Sequence, residues 1–138
     1  MASASSPPNK PLHIALWVVQ VLLAVVFAGS GFMKSTTAAQ ELVKVMPWAE
    51  GNGIWMARVA GISEILGALG LILPSATRIQ PKLTGLAGVG LATVMVLAAG
   101  LHISRGEFGF LLPNAVLGGL AAFVAYGRLK AAPIAPKA

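Results

Sequence analysis

From Leu12 to Met33 the chain contains no Asp, Glu, Lys or Arg. Wound as an α-helix rising about 1.5 Å per residue, that run is long enough to cross the roughly 30 Å of hydrocarbon in a bilayer. Three more apolar runs follow, from Ile54 to Pro74, Leu83 to Ile103 and Phe108 to Gly127. The pattern predicts an all-α fold: a four-transmembrane-helix bundle of up-down topology, with spans at about 12–33, 54–73, 83–103 and 108–127. Composition points the same way. Hydrophobic residues make up 57% and charged residues 10%, against about 25% charged in soluble domains. A single domain of 138 residues could not hide that much apolar surface from water. A signal peptide competes for the first run, since Lys10 precedes it and Ala28, Gly29 and Ser30 follow its core, but the run is long for that role.

The connections carry the polar residues. Residues 1–11, small, polar and proline-rich, predict a disordered tail. Between spans one and two lies the longest link, KSTTAAQELVKVMPWAEGNG. Thr37 and Gln40 have the spacing of a capping box, and Leu42, Val43, Val45 and Met46 predict a short helix ending before Pro47. With Trp48 and Trp55 beside it, this helix is expected at the headgroup level, as an interfacial cap. Pro81 closes the next turn and suits a helix start. Residues 128–138 are basic and proline-bearing, which predicts a mobile tail and leaves 12–127 as the single transmembrane domain.

The net charge of +6 would suggest nucleic acid in another setting. Here the basic residues sit at the ends of apolar runs, where they read as topology signals and contacts to membrane lipids, so nucleic acid is excluded as a partner. Lys10, Arg78, Lys82, Arg128, Lys130 and Lys137 fall on the side of the termini; Lys34, Lys44 and Arg105, joined by Arg58 if it snorkels, fall on the other. The positive-inside rule then makes both termini cytoplasmic. The chain has no Cys, so disulfides, thiolate metal sites and thiol redox chemistry are absent from it.

Glu64 is the most demanding residue. A carboxyl near the middle of a membrane span needs protein or trapped water beside it, at a cost of about 3 kcal/mol or more otherwise. At about 100° per residue, Ala57, Gly61, Glu64, Ala68 and Leu71 share one face, a small-residue stripe that another helix can approach. Comparable stripes are Gln20, Ala24, Phe27, Ala28, Gly31 and Lys34 in span one, Thr84, Gly88, Met95, Ala98 and His102 in span three, and Asn114, Gly118, Ala121 and Ala125 in span four. Lys34, Arg58, His102 and Asn114 fall in the same half as Glu64, which predicts a polar pocket floored by that acid.

Each of these residues has a plainer role beside the functional one. Glu64 handles a ligand or proton, or fixes helix register; His102 donates to a ligand, or is a hydrated interfacial imidazole. Arg58 snorkels or recognises a carbonyl, Lys34 ends its span or reaches a ligand, and Asn114 bonds a neighbouring helix or a substrate. Trp17, Trp48, Trp55 and Tyr126 read as interfacial anchors. His13 and His102 are expected at opposite membrane faces, so no metal site is predicted. No phosphate loop or nucleophile arrangement occurs, and catalytic residues stay unassigned.

Several short motifs, in order, add a further pointer: GFMK ending span one, MPWA in the connection, Arg58 ahead of GISEILGALGLILP, PKLTGLAGVGLATVM opening span three, HISRGE after it, and Asn114 with AAFVAYGR in span four. From about Leu12 to Arg128 the chain resembles the DoxX-like family of small four-helix membrane proteins. The resemblance implies a bacterial inner-membrane protein in which Lys34, Arg58, Glu64, His102 and Asn114 match recurrent polar positions. The family takes its name from a subunit associated with a thiosulfate:quinone oxidoreductase, and similar proteins are linked to membrane redox or oxidative-stress complexes. Without Cys, any sulfur chemistry here would need a partner or a noncovalent site. The leading expectation is an accessory or quinone-adjacent subunit beside oxidoreductase partners, with a quinone as its candidate cofactor. The alternatives are a small proton-linked carrier, which with four spans would need to act as a homo-oligomer, and a structural or assembly factor without small-molecule activity.

Overall fold

The computed structural model describes residues 9–137. Helix α1 runs Lys10–Thr36, α2 Ala39–Val45, α3 Gly53–Thr77, α4 Lys82–Ser104 and α5 Leu111–Tyr126, with 3-10 turns at Pro47–Ala49 and Phe108–Phe110 and a π-helical turn at Gly127–Ala131. Four helical stretches, Lys10–Thr36, Gly53–Thr77, Lys82–Ser104 and Phe108–Ala131, are long and apolar enough to cross a membrane. Their outward faces expose Leu22, Val25, Leu66, Leu69, Val96 and Leu112. Apolar surface on that scale suits hydrocarbon, not water. The protein is an all-α, multi-pass membrane bundle in which each spanning helix packs antiparallel to the next, with α2 between the first two.

Small residues set the seams. A Cβ added to Gly31 would stand 2.5 Å from the Gly61 carbonyl oxygen, so α1 and α3 cross backbone to backbone there. At Gly88 an added Cβ would lie 2.7 Å from the Ala121 carbonyl oxygen, which brings α4 equally close to α5. Between α3 and α4, Gly67 meets Leu91 and Gly70 meets Ala87, and further along the Ser75 and Thr84 hydroxyls bond at 2.7 Å. The stripe expected on α3 is buried throughout. On α1 the buried face is Leu16, Gln20, Leu23, Phe27 and Gly31; Ala28 is exposed and Ala24 only half-buried, because Leu23 and Phe27 supply the volume that fills the interior.

Several local expectations are corrected. Thr37 does not open α2 with a capping box: its N–H donates to Met33 O and closes α1, while α2 starts after Ala38 without a side-chain cap. Span two does not stop at Pro74. The missing proline N–H removes only one bond near the helix end, and α3 continues to Thr77, ending where Arg78 takes a left-handed φ of 60°. Of the expected N-terminal tail, residues 1–8 lie outside the described residues, and Lys10 and Pro11 already belong to α1, whose first turn is capped by the Asn9 side chain accepting from Leu12 N. The largest departure is at the other terminus. Arg128 is buried, with Nε donating to Gln20 Oε1 at 2.6 Å, Nη1 to Ala132 O and to His13 Nδ1 at 3.0 Å, and its guanidinium 5.8 Å from the Trp17 ring. Further out, Arg78 donates to Ala135 O, and Lys137 N donates to Arg78 O. The basic tail is thus folded against the bundle end.

Gly61→Val should lower the free energy of unfolding from detergent micelles by about 1–3 kcal/mol, because its side chain must displace Lys34 and the Gly31 carbonyl. Gly90→Ala, where an added Cβ meets nothing within 4 Å, should leave it equal or slightly higher.

Candidate functional site

The end of the bundle that carries α2 holds a cavity of about 630 Å³. Its inner wall comes from Ala60, Ser63 and Glu64 of α3 and from Val94, Met95 and Ala98 of α4; Asn114 contributes from α5 and Lys34 from α1. The roof is Met46, Pro47 and Trp48, with His102, Glu107 and Phe110 at one side. A small hydrophobic core of Leu42, Ala49 and Ala57, with Met33, Trp48 and Ile54 packed on it, pins this roof to the ends of α1 and α3.

The polar groups are built in pairs. The Lys34 ammonium donates to Glu64 Oε1 at 2.7 Å, with the two side chains 13% and 1% exposed. The lysine at the end of α1 thereby answers the acid in the middle of α3. Arg58 donates from Nη1 to Lys34 O at 3.0 Å, taking up one of the carbonyls left free at a helix end. At the far side, His102 Nδ1 lies 3.0 Å from Glu107 Oε1, Arg105 Nε donates to the same oxygen at 3.2 Å, and the His102 ring stacks on Phe110 at 4.7 Å. The His102 hydrogen bond first, and Arg105 after it, hold the Glu107 carboxyl below the usual carboxylate range.

Two buried polar atoms on cavity-lining residues have no partner among the described residues: Glu64 Oε2 and Asn114 Nδ2. An unmade hydrogen bond on a buried group costs about 1–3 kcal/mol. Both atoms are shielded by their neighbours, so a small molecule that donates to one and accepts from the other would reach them only as the two side chains turn toward it. Of the residues singled out in the sequence, Glu64, Lys34, His102 and Asn114 line this one cavity. Arg58 stands one step back, on the Lys34 carbonyl. Sequence reading missed Glu107, whose place two residues after Arg105 in a short loop looked incidental; Trp48, expected beside an interfacial cap, lines the cavity's roof. Among the described residues no three His, Cys, Asp or Glu side chains gather as a metal site would require.

Fold and composition together define a small multi-pass helical membrane protein, with a cavity at the end of the bundle that carries α2. The family model described as the DoxX-like family matches residues 18–124, and the chain belongs to that family. No curated protein matches the chain, and no solved structure does.

Lys34→Met should lower unfolding free energy in micelles by about 3–5 kcal/mol by leaving Glu64 unanswered, and the double variant Lys34→Met/Glu64→Leu should recover most of that loss. Glu107 supplies a pH test. Its folded-state pKa lies below the unfolded value, so the stabilisation is complete above the unfolded value and is lost as pH falls toward the folded one. From about pH 5 downward, the wild-type melting temperature should therefore drop more steeply than that of Glu107→Gln.

Proposed function

We propose that the protein is a quinone-adjacent accessory subunit of a membrane redox assembly in the bacterial inner membrane, with both termini cytoplasmic. The cavity holds the head of a quinone-like amphiphile. The observation that carries this reading is the pair of unpartnered groups, Glu64 Oε2 and Asn114 Nδ2, on residues that line an apolar cavity of about 630 Å³. A quinol hydroxyl donates to the carboxylate, and a quinone carbonyl accepts from the amide. Reducing the quinone to the quinol takes up two electrons, which the partner oxidoreductase supplies, and two protons drawn from water, one of them relayed by Glu64 to the oxygen it bonds. The family's namesake association with a thiosulfate:quinone oxidoreductase agrees with that division of labour, since this chain has no Cys for sulfur chemistry. The basic residues at the termini's end support the orientation.

A second reading has its own observation. The Lys34–Glu64 contact and the Arg58 bond to Lys34 O tie α1 to α3, as a pure assembly factor would need. Asn114→Leu separates the two, because it leaves that tie intact. In protein extracted gently from its native membrane, the quinone reading expects bound quinone by mass spectrometry, a copurifying oxidoreductase, and about tenfold weaker quinone binding in Asn114→Leu at unchanged thermal stability. No bound quinone, no companion and no stabilisation by added quinone would leave the assembly role standing instead.

A further inference from the structure

The cavity's roof and its mouth face different surroundings. On the side of α2 it is bordered by Met46, Pro47 and Trp48, held down by buried Leu42 and Ala49, and by Phe110 stacked on His102, with Pro47 exposed and Val45 61% exposed beside them. The flank is open as well. Trp55, Val59 and Leu97 line the cavity while being 70%, 65% and 68% exposed, and all three belong to spanning helices. These helices, α3 and α4, touch closely at Gly67 with Leu91 and Gly70 with Ala87, and their hydroxyls bond at Ser75 and Thr84. Toward the capped end the cavity occupies the wedge between them. Val59 lies about 9 Å along α3 from Gly53 at about 1.5 Å per residue, a depth where the surroundings are hydrocarbon.

Charge narrows the occupant further. Lys34 is the one Lys or Arg that lines the cavity, and it is paired with Glu64. A phosphate head would find no unpaired cation on the wall, whereas a neutral head needs only the unpartnered Glu64 Oε2 and Asn114 Nδ2.

We infer that the occupant is a neutral-headed, single-tailed amphiphile that enters sideways from the bilayer between α3 and α4, its head at Glu64 and Asn114 and its tail left in the hydrocarbon past Val59 and Leu97. This rests on the reading that the cavity binds a quinone-like head, and it adds the route, the tail and the charge. Access does not require the roof to open.

The test uses the full chain in lipid nanodiscs and a benzoquinone series that differs only in isoprene number, from none upward. Val59→Trp and Leu97→Trp narrow the wedge; Leu66→Trp, on an exposed α3 position away from the cavity, is the matched control for adding an indole to the lipid face. Partitioning into the bilayer is common to all proteins, so the ratio of variant to wild type isolates the wedge. Tailed members should bind about tenfold more weakly to the two wedge variants than to the control, with the tailless member within about twofold on all three. A single-tailed lysophosphatidate should not compete. Equal losses for tailed and tailless members, or no loss at all, would overturn side entry while leaving quinone binding intact. Competition by the anionic lipid would overturn the neutral head. Failure of every quinone to bind the wild type would defeat the underlying reading and this one together.

Discussion

The buried contact between Lys34 and Glu64 is the constraint around which the capped end is arranged. A carboxyl in the middle of a membrane helix must be answered, and here the answer comes from the last turn of α1. That is possible only because Gly31 and Gly61 let the two backbones meet just below it. A bulkier pair would hold the helices apart, and the ammonium would fall short of Oε1. Once Lys34 is drawn inward, its own carbonyl is placed for Arg58, so a single ion pair organises the end of α1, the start of α3 and the floor of the cavity. It satisfies only one carboxylate oxygen, which is why the same residue that secures the fold also leaves an acceptor open.

The two ends of the bundle solve the burial of charge differently. All four acids, Glu41, Glu50, Glu64 and Glu107, lie in α3 or in the connections at the capped end, and three of them pair with cations there. The opposite end has no acid in the described residues, yet it buries Arg128. That guanidinium is held by neutral acceptors, Gln20 Oε1, His13 Nδ1 and Ala132 O, and by the face of Trp17, while Gln20 donates in turn to Leu71 O. The chain joins α1, α3 and the last turn of the fourth span at the level where Leu16 packs against Gly127. One end is thus latched by an ion pair and the other by a guanidinium held on neutral acceptors.

What could be seen in the sequence follows from this. The interior face of α3 was legible because one strict 3.6-residue stripe contains both the small residues and the acid. The four spans were legible because hydrocarbon thickness dictates their length. Lys34 was harder: a cation at the end of an apolar run has the same appearance whether it snorkels outward or reaches back one turn, and only the partner helix decides. Arg128 was read as the start of a mobile tail because prolines and lysines follow it. The clue was Gln20, a polar side chain deep in the uncharged run of α1, which needs both a donor and an acceptor and so demanded partners from elsewhere. Thr37 shows the same limit, since a hydroxyl between two helices matches the pattern of a cap whether it closes the first or opens the second.

The cavity is a consequence of where tight packing was spent. Glycines weld α1 to α3 and α4 to α5 along their contacts, and Gly67 and Gly70 bring α3 against α4 toward the tail end. Toward the capped end the facing positions are Ala60, Ser63 and Ala98, side chains too small to fill the wedge between diverging helices. An unfilled wedge between spanning helices would ordinarily be lined by apolar groups alone, and closing it would require only larger residues at those positions. This one instead ends on a half-satisfied carboxylate and an unpaired amide. Larger apolar residues would fill the wedge and still leave Glu64 Oε2 and Asn114 Nδ2 buried beside it without partners, at about 1–3 kcal/mol for each unmade bond.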